Sequence, residues 1–147
     1  MIGVSIASPQ ELVPLEYARL KECARAVLAG EGVKESKVSL AFVDDATIAG
    51  LNKRFLDHDG PTDVITFPLS GRGARKLEGE VVISVEVARR AAEERGHNVQ
   101  IEMCLYVIHG VLHLCGYDDR SQRDAAQMRR KEHEYLRHLR LPDIADE

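Results

Sequence analysis

At 147 residues the chain has room for one domain of ordinary size and little more. Its 44% hydrophobic and 30% charged residues mark a globular protein rather than a disordered one. The formal net charge of -4 excludes a protein that coats DNA by bulk positive charge, so no DNA partner is expected and any RNA must be held by a local patch. Pro14 and Gly30 bracket a first helix carrying Leu20, Cys23, Ala24, Val27 and Leu28 at helical spacing. Val38, Leu40 and Phe42 alternate with Ser39 and Ala41, the pattern of a half-buried strand. Asp45 is placed to cap a second helix whose Ile48, Leu51 and Phe55 share a face. T-D-V-I-T-F-P, stopped by Pro68, and G-E-V-V-I-S, from Gly79 to Ser84, read as two further strands around a Gly-rich basic loop. Glu86 to Arg95 reads as a helix ended by Gly96. Asn98 caps a long helix through Leu114, with Ile101, Cys104, Leu105, Ile108 and Leu112 as its buried stripe. Ser121, with Asp124 three residues on, opens a last helix bearing Met128, Tyr135 and Leu139, and the tail beyond is expected to fray. The sum is an α+β fold, with the last two helices paired around a turn.

The start of the chain, Met1 to Gln10, lacks the basic and apolar regions of a secretion signal. The most apolar stretch, Met103 to Tyr117, holds two histidines and is shorter than the ~20 residues of a membrane helix. Cys23, Cys104 and Cys115 form no C-x-x-C pair and are expected as small buried thiols in a reducing compartment. A cytoplasmic protein with no membrane contact is the expectation.

The chemistry lies in H-G-V-L-H-L-C-G-Y-D-D, from His109 to Asp119. Residues four apart on a helix project from one face, so His109 and His113 can bind one metal ion without moving the backbone. A straight helix cannot supply a third ligand from that side. Gly116 can end the helix in the left-handed conformation and turn the chain back, which lets the Asp119 carboxylate return to the ion. The spacing reproduces the zinc-peptidase frame H-E-x-x-H-x-x-G-x-x-H, with Asp119 in the third position and Gly110 in place of the catalytic glutamate. Metal binding is expected and peptide hydrolysis is not, because the base that deprotonates water is missing. His58, His97, His133 and His138 have no such arrangement and are expected to be solvated.

This segment resembles the signature of the YbeY family of bacterial endoribonucleases, H-G-x-L-H-L-x-G-Y-D-H. Leu51-Asn52, P-T-D-V-I-T-F-P from Pro61 to Pro68, G-E-V-V-I-S and the pair Met128 and Glu132 match further family motifs in the same order. The resemblance implies a zincin-like α+β domain over residues 1–147, with a small mixed four-stranded sheet packed with about five helices. It also implies a metal-dependent endoribonuclease specific for single-stranded RNA, acting on ribosomal RNA near the small-subunit 3′ end and in ribosome quality control. Ribosomal particles are then its partners. By position the ligands of one Zn2+ are His109, His113 and Asp119. The alternatives are a ribosome-associated RNA-binding module with a structural metal and a hydrolase of another phosphoester.

The chain departs from the family pattern at two positions. The third ligand is usually His; a carboxylate there lowers the Lewis acidity of zinc and makes other divalent ions more competitive. Leu56 stands where the family commonly has an arginine, and leucine cannot grip a phosphate. Candidate proton carriers are Asp118 and Asp63, each with an ordinary structural reading: a turn residue and a strand-end hydrogen bond. Phosphate-binding charge can come from Lys53, Arg54, Arg89 or Arg90, and best from Arg72, Arg75 and Lys76 in the Gly-rich loop. Aromatic residues, 5% with no Trp, are too few for a base-stacking sheet.

Overall fold

A computed structural model describes residues 1–71 and 73–146. Its elements run β1 (Ile2–Ala7), α1 (Tyr17–Gly30), β2 (Ser36–Val43), α2 (Asp45–Leu56), β3 (Val64–Pro68), β4 (Leu77–Ser84), α3 (Val85–Arg95), α4 (Val99–Leu114) and α5 (Gln122–His138). The sheet order is β1-β2-β4-β3, with β1 and β4 parallel to β2 and β3 antiparallel to β4. This is the expected α+β fold with a mixed four-stranded sheet and five helices among the described residues. No helix among them is long and apolar enough to cross a membrane.

Side chains alternate across a strand, so each strand serves two layers. Val38, Leu40, Phe42, Val81 and Ile83 face the main core with α1, α3, α4 and α5. Ile65 and Val82 face the other way, against Val43 and Ile48 near α2. Helix α4 is the hub. It touches the sheet through β3 and β4 and packs on α1, α3 and α5. It is therefore buried nearly all round, from Ile101 to Leu112 with only His109 partly exposed, rather than along the single stripe its spacing suggested.

Several local expectations are corrected. Strand β1 was not foreseen, although Ile2, Val4 and Ile6 alternate; it pairs with β2 across the α1 crossover. The cap of α2 is Asp44, whose side chain accepts from the Thr47 N–H at 2.8 Å, while Asp45 turns to Arg90 at 2.7 Å. Of the face shared by Ile48, Leu51 and Phe55, Ile48 is fully buried while Phe55 is 54% exposed. In its place Asn52 is buried and donates to the Gly60 carbonyl at 3.0 Å, tying down the loop that leads into β3.

The described part of the tail, to Asp146, is held against the domain rather than frayed. Ile144 and Ala145 are buried, and Arg95 donates to the Ile144 carbonyl at 2.6 Å. His133, expected to be solvated, bonds Asp143 at 2.5 Å and the Asp146 carbonyl at 2.9 Å. His97 is half-buried, with Nε2 shielded from solvent, and Cys115 is half-buried rather than buried.

Candidate metal centre

The geometry begins with the end of α4. His109 and His113 lie one turn apart, with ring centroids 4.7 Å apart and planes at 77°. Gly116 takes φ +106, and the Tyr117 N–H returns to the Leu112 carbonyl at 3.1 Å, so the chain reverses as the glycine spacing predicts. That reversal brings Asp119 back over the helix.

The two Nε2 atoms are 3.1 Å apart, and Asp119 Oδ2 lies 3.4 Å from His109 Nε2 and 3.6 Å from His113 Nε2. Ligand atoms held about 2.0–2.1 Å from a tetrahedral ion lie about 3.3 Å from one another. The three separations match what one divalent cation requires, and three side chains leave a fourth position for water or substrate. The donor set, two imidazoles and a carboxylate, suits zinc and leaves room for harder ions.

Behind the first histidine stands Glu132 of α5. His109 Nδ1 and Glu132 Oε2 are 2.6 Å apart, and an ionised carboxylate can only accept, so His109 donates through Nδ1–H. Its Nε2 lone pair is thereby turned toward His113 and Asp119, an orientation typical of metal-bound histidine. Burial opposes a charged ring, but the hydrogen bond and charge of Glu132, with Asp119 and Asp63 adding, hold His109 above the ordinary histidine range. The site is an electron-rich acceptor of cations.

The cleft beside these residues is lined by Asp63, Arg95, Tyr106, His109, Asp119, Arg129 and Glu132 among others. Asp63 therefore shares the cleft, although its Oδ1 also takes the strand-end bond from the Val64 N–H at 2.8 Å. Asp118 does not line it: its Oδ1 accepts from the Asp119 N–H at 2.8 Å, and its Oδ2 lies 3.6 Å from Arg120. Asp118 is the turn residue.

Gly110 cannot be replaced by a peptidase glutamate without disturbing the sheet, since a β-carbon there would lie 2.4 Å from Val81 Cγ1. Leu56 is at the exposed end of α2 and does not line the cleft. Lys53 pairs with Asp57 and Asp59, Arg89 with Glu86, Arg90 with Asp45, and Arg54 lies over the Phe55 ring at 5.2 Å. Arg75 and Lys76 are exposed on the loop between β3 and β4, near a groove shared with Leu114, Cys115 and Gly116. Arg72 lies outside the described residues. Sequence reasoning missed Arg95 and Arg129 as the cations of the cleft and gave Glu132 no role. The only signal for Glu132 was its place in the Met128-x3-Glu132 match.

Comparison with known proteins agrees over most of the chain. A family model described as endoribonuclease YbeY matches residues 5–140. An endoribonuclease YbeY of Pelotomaculum thermopropionicum is 46% identical over 83% of this chain and 85% of its own length. One of Rhodopirellula baltica, a longer protein, is 44% identical over 80% of this chain and 62% of its own. The solution structure of TM1509 from Thermotoga maritima is similar in fold, with a TM-score of 0.63 and 26% identity over 100% of this chain and 97% of that one.

Proposed function

The chain belongs to the YbeY family of endoribonucleases, and we propose that residues 1–147 act as one metal-dependent hydrolase domain that cuts single-stranded RNA. The substrate we assign is ribosomal RNA near the small-subunit 3′ end, met on ribosomal particles in the cytosol, with ribosome quality control as the setting. The observation that carries the reading is the convergence of His109, His113 and Asp119 to ligand separations of 3.1, 3.4 and 3.6 Å. We assign these three as ligands of one Zn2+, with other divalent ions as competitors because Asp119 replaces an imidazole.

A bound ion would supply Lewis-acid stabilisation of the scissile phosphate or activation of a water molecule. The protein does the rest. Glu132 keeps the His109 ring oriented through Nδ1. Arg129 offers positive charge to phosphate oxygens inside the cleft, while Arg95 beside it is paired with Glu102 and Asp146. Asp63 is our candidate proton carrier, and it would act through Oδ2 because Oδ1 is engaged by the Val64 N–H. Arg75 and Lys76, and with them Arg72, would guide the strand along the loop side of the ligand turn.

The test pairs elemental analysis with cleavage of a labelled single-stranded RNA, for the natural protein and for His109→Ala and His113→Ala. We expect about one metal ion per chain and cleavage from the former, with both lost in the variants while their circular dichroism is unchanged. Equal metal content in all three, or RNA binding without turnover by the metal-loaded natural protein, would overturn the reading.

A further inference from the structure

Asp119 sits outside every regular element and is 44% exposed, yet it must be held to within a few tenths of an ångström for its carboxylate to serve as a ligand. Its own neighbours do little: the Asp118 carboxylate accepts its N–H, and Arg120 reaches Asp118 rather than Asp119 among the described residues. The firm anchor of the turn is two residues earlier. Tyr117 donates its hydroxyl to Glu31 Oε1 at 2.7 Å, across 86 residues of sequence. Glu31 is the cap residue at the end of α1 and is mostly buried.

The other oxygen of the same carboxylate, Oε2, accepts from the Tyr135 hydroxyl at 2.5 Å. Tyr135 stands three residues after Glu132 on α5, so the two side chains project from neighbouring positions on one face. Lys131 completes the cluster, 3.5 Å from Glu31 and 6.0 Å from the centre of the Tyr117 ring. Burial works against a charged Glu31, but the two phenols and the ammonium outweigh it and hold its carboxyl below the usual range. A carboxylate fixed by two phenol donors has little rotational freedom left.

The residue that caps α1 thus grips two supports of the metal centre: the turn that carries Asp119 and the helix that carries Glu132. We propose that Glu31 is a positioning residue for the metal centre, acting through Tyr117 to hold the Asp119 carboxylate against the two imidazoles and through Tyr135 to hold Glu132 against His109. It touches neither metal nor substrate. The inference rests on the ligand assignment made above.

The experiment measures Zn2+ affinity by competition with a chromophoric chelator, on folded protein and without reference to activity. The proteins are the natural chain, Tyr117→Phe, Glu31→Gln, Asp119→Ala, and Tyr117→Phe combined with Asp119→Ala. Removing the Tyr117 hydroxyl is expected to weaken binding about ten-fold, the lower end of the loss seen when metal-supporting residues are removed. In the Asp119→Ala background the same change should add nothing, because its effect runs through that ligand. Glu31→Gln should cost more than Tyr117→Phe, since it loosens α5 as well. If it fails to fold, the Tyr117→Phe cycle decides alone.

An unchanged zinc affinity in Tyr117→Phe, with only a lower melting temperature of the metal-free protein, would reduce Glu31 to a structural brace and overturn the proposal. So would additive losses in the double variant. His113→Ala separates the two levels of argument. If it leaves zinc affinity unchanged, the ligand assignment itself is wrong; if it abolishes binding while Tyr117→Phe does not matter, only the role of Glu31 falls.

Discussion

Gly110 stands where a zinc peptidase carries its glutamate, and its surroundings explain why a larger residue is not tolerated. A β-carbon would meet Val81 Cγ1 at 2.4 Å and Val64 Cγ1 at 3.2 Å, both on the sheet beneath α4. In an open helix, Gly→Ala gains up to about 1 kcal/mol. Here overpacking costs about 1–3 kcal/mol and wins. Gly110→Ala should therefore lower stability by about 1 kcal/mol in urea denaturation, and Gly110→Glu should yield no peptidase. Glu132 gives the complementary case. Glu132→Gln keeps the size of the side chain but removes the charge behind His109, and zinc affinity should fall about ten-fold in chelator competition. The ligands were legible because His109, His113, Gly116 and Asp119 form a local pattern set by one helix and one turn. Asp63, named from the sequence as a candidate proton carrier, does line the cleft, whereas Glu132, Arg95 and Arg129 reach it from other elements, and spacing along a chain carries no record of such meetings.

Helices and strands show the same division between local and distant causes. All five buried residues of α1, from Leu20 to Leu28, follow from its periodicity. Strand β1 alternates just as plainly in Ile2, Val4 and Ile6, but its place at the sheet edge depends on parallel pairing with β2 across α1. The tail after Leu139 is polar enough to suggest fraying, and only the positions of Arg95, His133 and Arg137 in space reveal what holds it. At the start of α2 two adjacent aspartates are equivalent by composition, and backbone geometry separates them. Asp44, at φ -85 and ψ 173, has the extended conformation a cap needs. Asp44→Ala removes that cap and should lower stability measurably. Asp45→Ala should cost about 0.5 kcal/mol near neutral pH, because its partner Arg90 is exposed. The hydrogen bond from Arg90 holds the Asp45 carboxyl below the ordinary aspartate range, so the folded state binds that proton more weakly than the unfolded one. The Asp45 contribution is then complete above the unfolded value near ~4 and vanishes as pH falls through the lowered folded value. Urea denaturation of both variants at neutral and acid pH checks the sign.

At the scale of the whole molecule, the metal centre is built on parts that the core already holds together, since α4, the turn after it and α5 all pack on one apolar cluster. Its three candidate ligands come from the end of α4 and the turn beyond, and Glu132 brings in α5. The core is extensive without it: α1, α4 and the sheet share a continuous apolar cluster that includes Leu20, Leu40, Ile83 and Ile108. This differs from a zinc finger, which has too little core to fold without its ion. The metal-free chain is expected to stay folded and to melt cooperatively. An ion that binds only the folded state adds RT ln(1 + [L]/Kd), about 4 kcal/mol when the free ion is at a thousand times Kd. For a chain of this length each kcal/mol moves the melting temperature by about 2–4 °C. Chelation should therefore lower the melting temperature of the zinc-loaded protein by roughly 10 °C, with no comparable change in His113→Ala, where the site is broken at the outset. Calorimetry with and without a chelator reads both quantities. Loss of all cooperative melting on chelation would mean that the ion is part of the folding core, and an equal shift in His113→Ala would mean that the ion stabilises the protein from somewhere else.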